Sequence, residues 1–130
     1  MDEKNKKIII VAEDQPEELS ALSDKLTNSG FEVVGTSDGE KCLEAVKKNS
    51  PDLILLDLVM PRMGGLAVLE ELKKDENHRF IPVIVLTNLD SLGDIQKVAE
   101  RGVRDYLIKS DWDLDGIVGK INDILGTKEK

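Results

Sequence analysis

The sequence has little sulfur, little imidazole and few rings. Its one cysteine, Cys42, leaves no internal disulfide, and usage this sparse points to a reducing compartment. Its one histidine, His78, makes zinc sites and histidine-based catalysis poor fits. Aromatic residues are 3% of the chain, and Phe31, Phe80, Tyr106 and Trp112 are all of them. Base-stacking platforms and aromatic ligand cages therefore lack material. Positive charge is also short: 18 Lys+Arg against 26 Asp+Glu leave a net charge of −8. That balance argues against direct binding to nucleic acid, whose phosphates demand a basic face, and against docking on anionic membranes. Long apolar runs are missing too. The start, Met1 to Lys7, is polar and basic, and the run behind it, Ile8–Ala12, is too short for a signal-peptide core or a membrane span. The cytoplasm is the expected location. Repeats, low-complexity tracts and Pro/Gly/Ser linkers are likewise absent.

What is there is an alternation. The 130 residues suffice for one domain with a sizeable core, and hydrophobics at 40% with 34% charged residues fit a folded chain. Short apolar runs at Ile8–Ala12, Phe31–Gly35, Leu53–Leu56, Val83–Leu86 and Tyr106–Ile108 read as strands. The first, third and fourth are almost continuous Ile, Leu and Val, as expected of parallel strands buried on both faces.

Helical spacing fills the gaps. Leu19, Leu22 and Leu26 recur on one face, with Pro16 near the start and Gly30 after the end. Cys42, Leu43 and Val46 mark a second helix, and Leu66, Leu69 and Leu72 a third. Leu92, Ile95, Val98 and Ala99 mark a fourth, closed by Gly102. Leu114, Ile117, Val118, Ile121, Ile124 and Leu125 form the clearest stripe of all. Five β–α units in regular order predict an α/β fold, a five-stranded parallel sheet doubly wound with helices on both faces. In such sheets function gathers at the carboxyl ends of the strands.

The residues at those ends are complementary. Glu13 and Asp14 follow the first strand, Asp57 the third, Thr87 and Asn88 the fourth, and Lys109 the fifth. An acidic pair after a strand is often only a helix cap or a solvated turn. Four strands presenting matched chemistry at one edge is a different matter. Two carboxylates about 5 Å apart repel by roughly 3 kcal/mol at an effective dielectric near 20, so three together favour a bound cation. An all-oxygen set with few protein ligands suits Mg²⁺. With Lys109 and Thr87 beside it, such a site would stabilise a transferring phosphoryl group, and Asp57 would be the nucleophile that forms an acyl phosphate.

These residues resemble the receiver domain of two-component response regulators. The resemblance runs from about Ile8 to Leu125, with the single receiver domain filling residues 1–130. Its motifs are Glu13–Asp14, the run Asp57-Leu58-Val59-Met60-Pro61-Arg62-Met63-Gly64-Gly65, Thr87, and Gly102-Val103-Arg104-Asp105-Tyr106-Leu107-Ile108-Lys109. Separations of 43, 30 and 22 residues link Asp14, Asp57, Thr87 and Lys109, and they suit the family.

The resemblance implies the flavodoxin-like strand order 2-1-3-4-5. It implies that Asp57 accepts a phosphoryl group from a sensor histidine kinase or phosphotransfer protein, with Glu13, Asp14, Asp57 and the main-chain carbonyl of Val59 positioning Mg²⁺. Lys109 would pair with the phosphoryl group, Thr87 would move toward it, and Tyr106 would turn inward behind Thr87. Phosphorylation would then shift the face made by the fourth helix, fifth strand and fifth helix, read by an output protein not named by the sequence. Such a chain catalyses its own phosphorylation and dephosphorylation without turning over external substrates. It would be a monomer or a phosphorylation-dependent dimer. One receiver would fill the length, leaving no room for a DNA-binding output domain.

Some positions depart from the family. Ser110 follows Lys109 where proline is usual, often after a cis peptide bond. A non-proline cis bond costs about 3 kcal/mol, so the last loop is where a different geometry is expected. Asn88 follows Thr87 where a small residue is usual, which would narrow access. Gly64 stands where an acid is common, and Val103 replaces a usual alanine. Val59 and Leu89 flank the route of attacking water and, being apolar, are expected either to slow loss of the phosphoryl group or simply to pack the loops. Trp112 reads as a lid on the core or part of a partner site. Gly116 and Gly119 mark either a close helix approach or nothing, while His78 and Cys42 look incidental.

Three other readings compete. A flavin-binding protein of the same architecture needs phosphate-cradling Gly, Ser and Thr in the first loop. Here that loop is Glu13-Asp14-Gln15-Pro16. An aspartate-nucleophile phosphatase needs an acid two residues after Asp57, where Val59 stands. A binding module that works without phosphorylation would not need the intact set Glu13, Asp14, Asp57, Thr87 and Lys109.

Overall fold

A computed structural model describes residues 5–127. The elements alternate: β1 (Ile8–Ala12), α1 (Pro16–Asn28), β2 (Glu32–Thr36), α2 (Gly39–Asn49), β3 (Leu53–Leu56), α3 (Gly65–Lys74), β4 (Val83–Thr87), α4 (Leu92–Glu100), β5 (Asp105–Ile108) and α5 (Leu114–Leu125), with a 3₁₀ turn at Lys109–Asp111 before α5. All strands pair in parallel in the order β2-β1-β3-β4-β5. That is the order the resemblance implies.

Period-two alternation divides the buried strands between two cores. Ile9, Val11, Leu53, Leu55, Ile84 and Leu86 face α1 and α5, meeting Leu22, Leu26, Ile117 and Ile121. Ile10, Ala12, Ile54, Leu56 and Val85 face the other way, onto Cys42, Val46, Val68, Leu69, Leu72 and Val98 of α2, α3 and α4. β1 and β3 are apolar at every position because both of their faces are covered.

The helix ends are set locally. Asp38, Ser91 and Asp113 cap α2, α4 and α5 by accepting from Lys41, Asp94 and Gly116 N–H. Pro16 opens α1, and Gly102 (φ 85°) and Gly126 (φ 69°) close α4 and α5 in the left-handed region. At α3 a different constraint acts. A Cβ on Gly65 would lie 2.5 Å from the Asp57 carbonyl oxygen, so only glycine lets α3 start this close to the end of β3.

Small revisions follow. β2 is shifted by one residue from the expected Phe31–Gly35, because Phe31 is buried just ahead of the strand and pairing runs on to Thr36 opposite Ala12. Among the described residues, nothing lies within 4 Å of a Cβ added to Gly119, so it marks no close helix approach there. Gly116 instead lies under the Trp112 ring, 3.2 Å from a built Cβ. Trp112 is 36% exposed and covers a hollow between α1 and α5. Cys42 is fully buried, and burial raises its thiol to about 12, so it is an inert core residue. His78 pairs with Asp75 at 2.9 Å, three residues away.

Candidate functional site

The parallel register carries every strand to the same edge. Asp57 N–H donates to the Ala12 carbonyl at 3.0 Å and Glu13 N–H to the Thr36 carbonyl at 3.0 Å, so the residues just past β1 and β3 stay locked to the sheet. Glu13, Asp14 and Asp57 each bring a carboxylate oxygen to within 4.8 Å of the others. Glu13 is 2% exposed and Asp57 6%, while Asp14 is half-buried. Thr87, at the end of β4, has no exposure at all.

Lys109 closes the group. Its Nζ lies 2.6 Å from Glu13 Oε1, 2.9 Å from Asp57 Oδ2 and 2.7 Å from Glu18 Oε1. Burial alone would lower its pKa, but hydrogen bonds to Glu13, Glu18 and Asp57 outweigh it and hold the ammonium firmly protonated. Burial raises Glu13 above the usual carboxylate range and the Asp57 charge adds to this, against the Lys109 and Gln15 hydrogen bonds that lower it. Glu13 Oε2 accepts from Gln15 N–H at 3.0 Å, and Asp57 Oδ1 from Val59 N–H at 3.3 Å.

Asp14, Glu18 and Asp57 border a cleft of about 200 Å³, walled further by Thr87, Lys109, Val59 and Leu89. Asn88 is exposed, and Val59 is 56% exposed. The peptide bonds of the described residues are all trans, Lys109–Ser110 included, and the last loop turns through the 3₁₀ segment instead.

Tyr106 is not part of the cleft. It is half-buried against the α2–α4 core, and its hydroxyl donates to the Leu89 carbonyl at 2.6 Å. Leu89 N–H in turn contacts Thr87 Oγ1 at 3.4 Å. One residue of the β4–α4 loop thus touches both Thr87 and Tyr106. Desolvation, then the charges of Asp94, Asp90 and Asp57, raise the Tyr106 pKa, so the ring remains a neutral donor.

Sequence reasoning missed Glu18. It stands on the first turn of α1, four residues past Asp14, and that spacing, one helical turn beyond an acidic loop, was the available signal.

With the geometry in place, comparison with known proteins is decisive. The response regulator receiver domain model matches residues 9–122. The chain belongs to the response regulator receiver family. The polar-differentiation response regulator DivK of Brucella ovis is 34% identical over 103 residues, 79% of this chain and 84% of that protein. The probable transcriptional regulator ycf27 of Cyanophora paradoxa is 37% identical over 107 residues, 82% of this chain but 44% of that protein. The chain thus spans less than half the length of some curated relatives it matches. The crystal structure of the phosphorylated cyanobacterial phytochrome response regulator RcpA superposes with a TM-score of 0.82 at 31% identity, covering 95% of this chain and 98% of that one.

Membership carries phosphorelay signalling as the class of function. Receiver domains typically bind Mg²⁺, and Glu13, Asp14 and Asp57 form an all-oxygen set that fits such an ion. Among the described residues, no helix of this receiver is long and apolar enough to cross a membrane.

Proposed function

We propose that Asp57 accepts a phosphoryl group from the phosphohistidine of a sensor kinase or phosphotransfer protein, and that this shifts the face formed by α4, β5 and α5 for an output protein. The receiver core would extend over about residues 8–125, act in the cytoplasm, and remain monomeric or dimerise on phosphorylation. One observation carries the reading: Asp57 borders an open cleft, and its carboxylate lies between an ammonium and two further carboxylates.

In the transfer, an Asp57 carboxylate oxygen attacks phosphorus. The P–N bond of the donor breaks, its electron pair returns to the imidazole, and a P–O bond forms. Lys109 is positioned to pair with the phosphoryl oxygens, because its ammonium already touches Asp57 Oδ2. Thr87 supplies a hydroxyl at the cleft wall. A divalent ion held by Glu13, Asp14, Asp57 and the Val59 carbonyl would supply charge neutralisation for the phosphoryl oxygens. Val59 and Leu89 place apolar side chains beside the approach of water.

The hydrogen bonds around Leu89 support the switching step. If Thr87 turns toward a phosphoryl group, the Leu89 peptide loses one partner and its hold on Tyr106 changes with it. Phosphorylation biases this equilibrium through contacts available in one arrangement only.

Incubation with Mg²⁺ and acetyl phosphate, followed by intact-mass measurement, tests the reading. A phosphoryl adduct that disappears in Asp57→Asn is the expected result. No adduct from acetyl phosphate or from any phosphohistidine donor would leave a binding module that works without phosphorylation.

A further inference from the structure

Lys109 has more partners than phosphotransfer requires. An ammonium has three donors, and here Glu13, Glu18 and Asp57 occupy all three at 2.6–2.9 Å. Two of those carboxylates, Glu13 and Asp57, belong to the set that fits a divalent ion. Lys109 and that ion therefore compete for the same two groups. Glu18 does not take part in the competition. It lies outside the metal-fitting set, comes from α1 and not from a strand end, and keeps 46% of its side chain exposed at the cleft rim.

Without Glu18, every described carboxylate that holds Lys109 is one that an arriving cation would claim. With it, the ammonium has a partner it keeps. A pair with one partner half-exposed contributes little to stability by itself. Its consequence lies in where it leaves Lys109, a long side chain with a mobile charge.

We propose that Glu18 is a positioning residue for Lys109, retaining the ammonium at the wall of the cleft when Glu13 and Asp57 turn to a divalent cation. Lys109 then gives up part of the metal site without leaving the place where phosphoryl oxygens arrive. The inference rests on the proposed Mg²⁺-dependent reading of the same site.

The test is a double-mutant cycle read as Mg²⁺ affinity by calorimetric titration, with no phosphodonor present. Glu18→Gln weakens Mg²⁺ binding several-fold in the unaltered chain, since Lys109 then stays on Glu13 and Asp57. In a Lys109→Met background the same change alters affinity at least threefold less, because there is no ammonium to retain. A Lys109→Gln background serves if the methionine variant does not fold. Equal losses in both backgrounds would show Glu18 acting only as a nearby negative charge and would overturn the proposal. So would unchanged affinity in Glu18→Gln. Coupling observed without any Asp57 adduct would support the positioning role while the phosphoacceptor reading fails. A chain that binds no Mg²⁺ would overturn both.

Discussion

Asp38 and Asp57 are both buried aspartates at the carboxyl-end edge of the sheet, and they do opposite things. Asp38, 1% exposed, is saturated. Its Oδ1 accepts from Lys41 N–H at 2.8 Å, capping α2, and its Oδ2 takes Arg62 Nε at 2.8 Å and a terminal guanidinium nitrogen at 2.7 Å. Those contacts, the backbone one first, hold it below the usual carboxylate range. Asp57 has one long backbone contact and one lysine that it shares with Glu13 and Glu18, and it faces an open cleft beside like charges. A buried carboxylate with both oxygens engaged holds a corner together. One crowded by other carboxylates and open to solvent has capacity left for a ligand.

Exchanging the cations tests this contrast most severely. Lys109→Met is expected to slow phosphorylation by acetyl phosphate about 100-fold, the usual scale for losing one donor to a developing charge. Arg62→Met should leave that rate within about twofold, since its charge serves Asp38 rather than the cleft. Rates from intact-mass time courses decide the matter, and equal losses would erase the distinction.

Stability should divide in the reverse sense. Asp38→Ala removes the α2 cap and strands Arg62, and its urea midpoint should fall clearly. Asp57→Asn relieves repulsion by Glu13 while losing Lys109, and its midpoint should drop less than half as far.

Titration separates the two regions again. The Asp38 carboxyl is lowered on folding, so its stabilisation is present above the unfolded value of 3.8 and is lost as pH falls through the lowered one. Lys109 is raised, so its contribution is present below 10.5 and is lost as pH rises through the folded value. Urea midpoints against pH should show an acid limb missing in Asp38→Ala and an alkaline limb missing in Lys109→Met.

The smallest effect concerns Val59. A polar side chain there should help water reach the phosphoryl group, so Val59→Asn is expected to lose phosphate a few-fold faster than the unaltered chain. Slower or equal loss, followed after removal of the donor, would assign Val59 to loop packing alone.

Much of this was legible in the sequence, and for identifiable reasons. Ile9 to Val11 and Leu53 to Leu56 are buried on both faces, so their apolar runs could hardly belong elsewhere. Glu13, Asp14, Asp57 and Lys109 follow strands directly, and a parallel sheet brings such residues to one edge whatever lies between them. The roles of Glu18 and Arg62 were hard to read. Their partners, Lys109 and Asp38, lie 91 and 24 residues away along the chain, and both contacts depend on how α1 and the β3–α3 loop settle on the sheet. The Gly65 approach to Asp57 has the same origin, since no local pattern records a contact made by a backbone to a backbone. The sequence resemblance placed Tyr106 in a switching role. Its hydrogen bond to Leu89 became visible only with the β4–α4 loop in position.

The central claim is that the crowded aspartate, not the saturated one, takes the phosphoryl group, and that it needs a divalent ion to do so. Intact-mass measurement after acetyl phosphate treatment, with Mg²⁺ or with chelator, on the unaltered chain, Asp57→Asn and Asp38→Asn tests it directly. The account predicts one adduct with Mg²⁺ in the unaltered chain and in Asp38→Asn, and none in Asp57→Asn or in chelator. An adduct that survives in Asp57→Asn, or that forms equally without the metal, would contradict it.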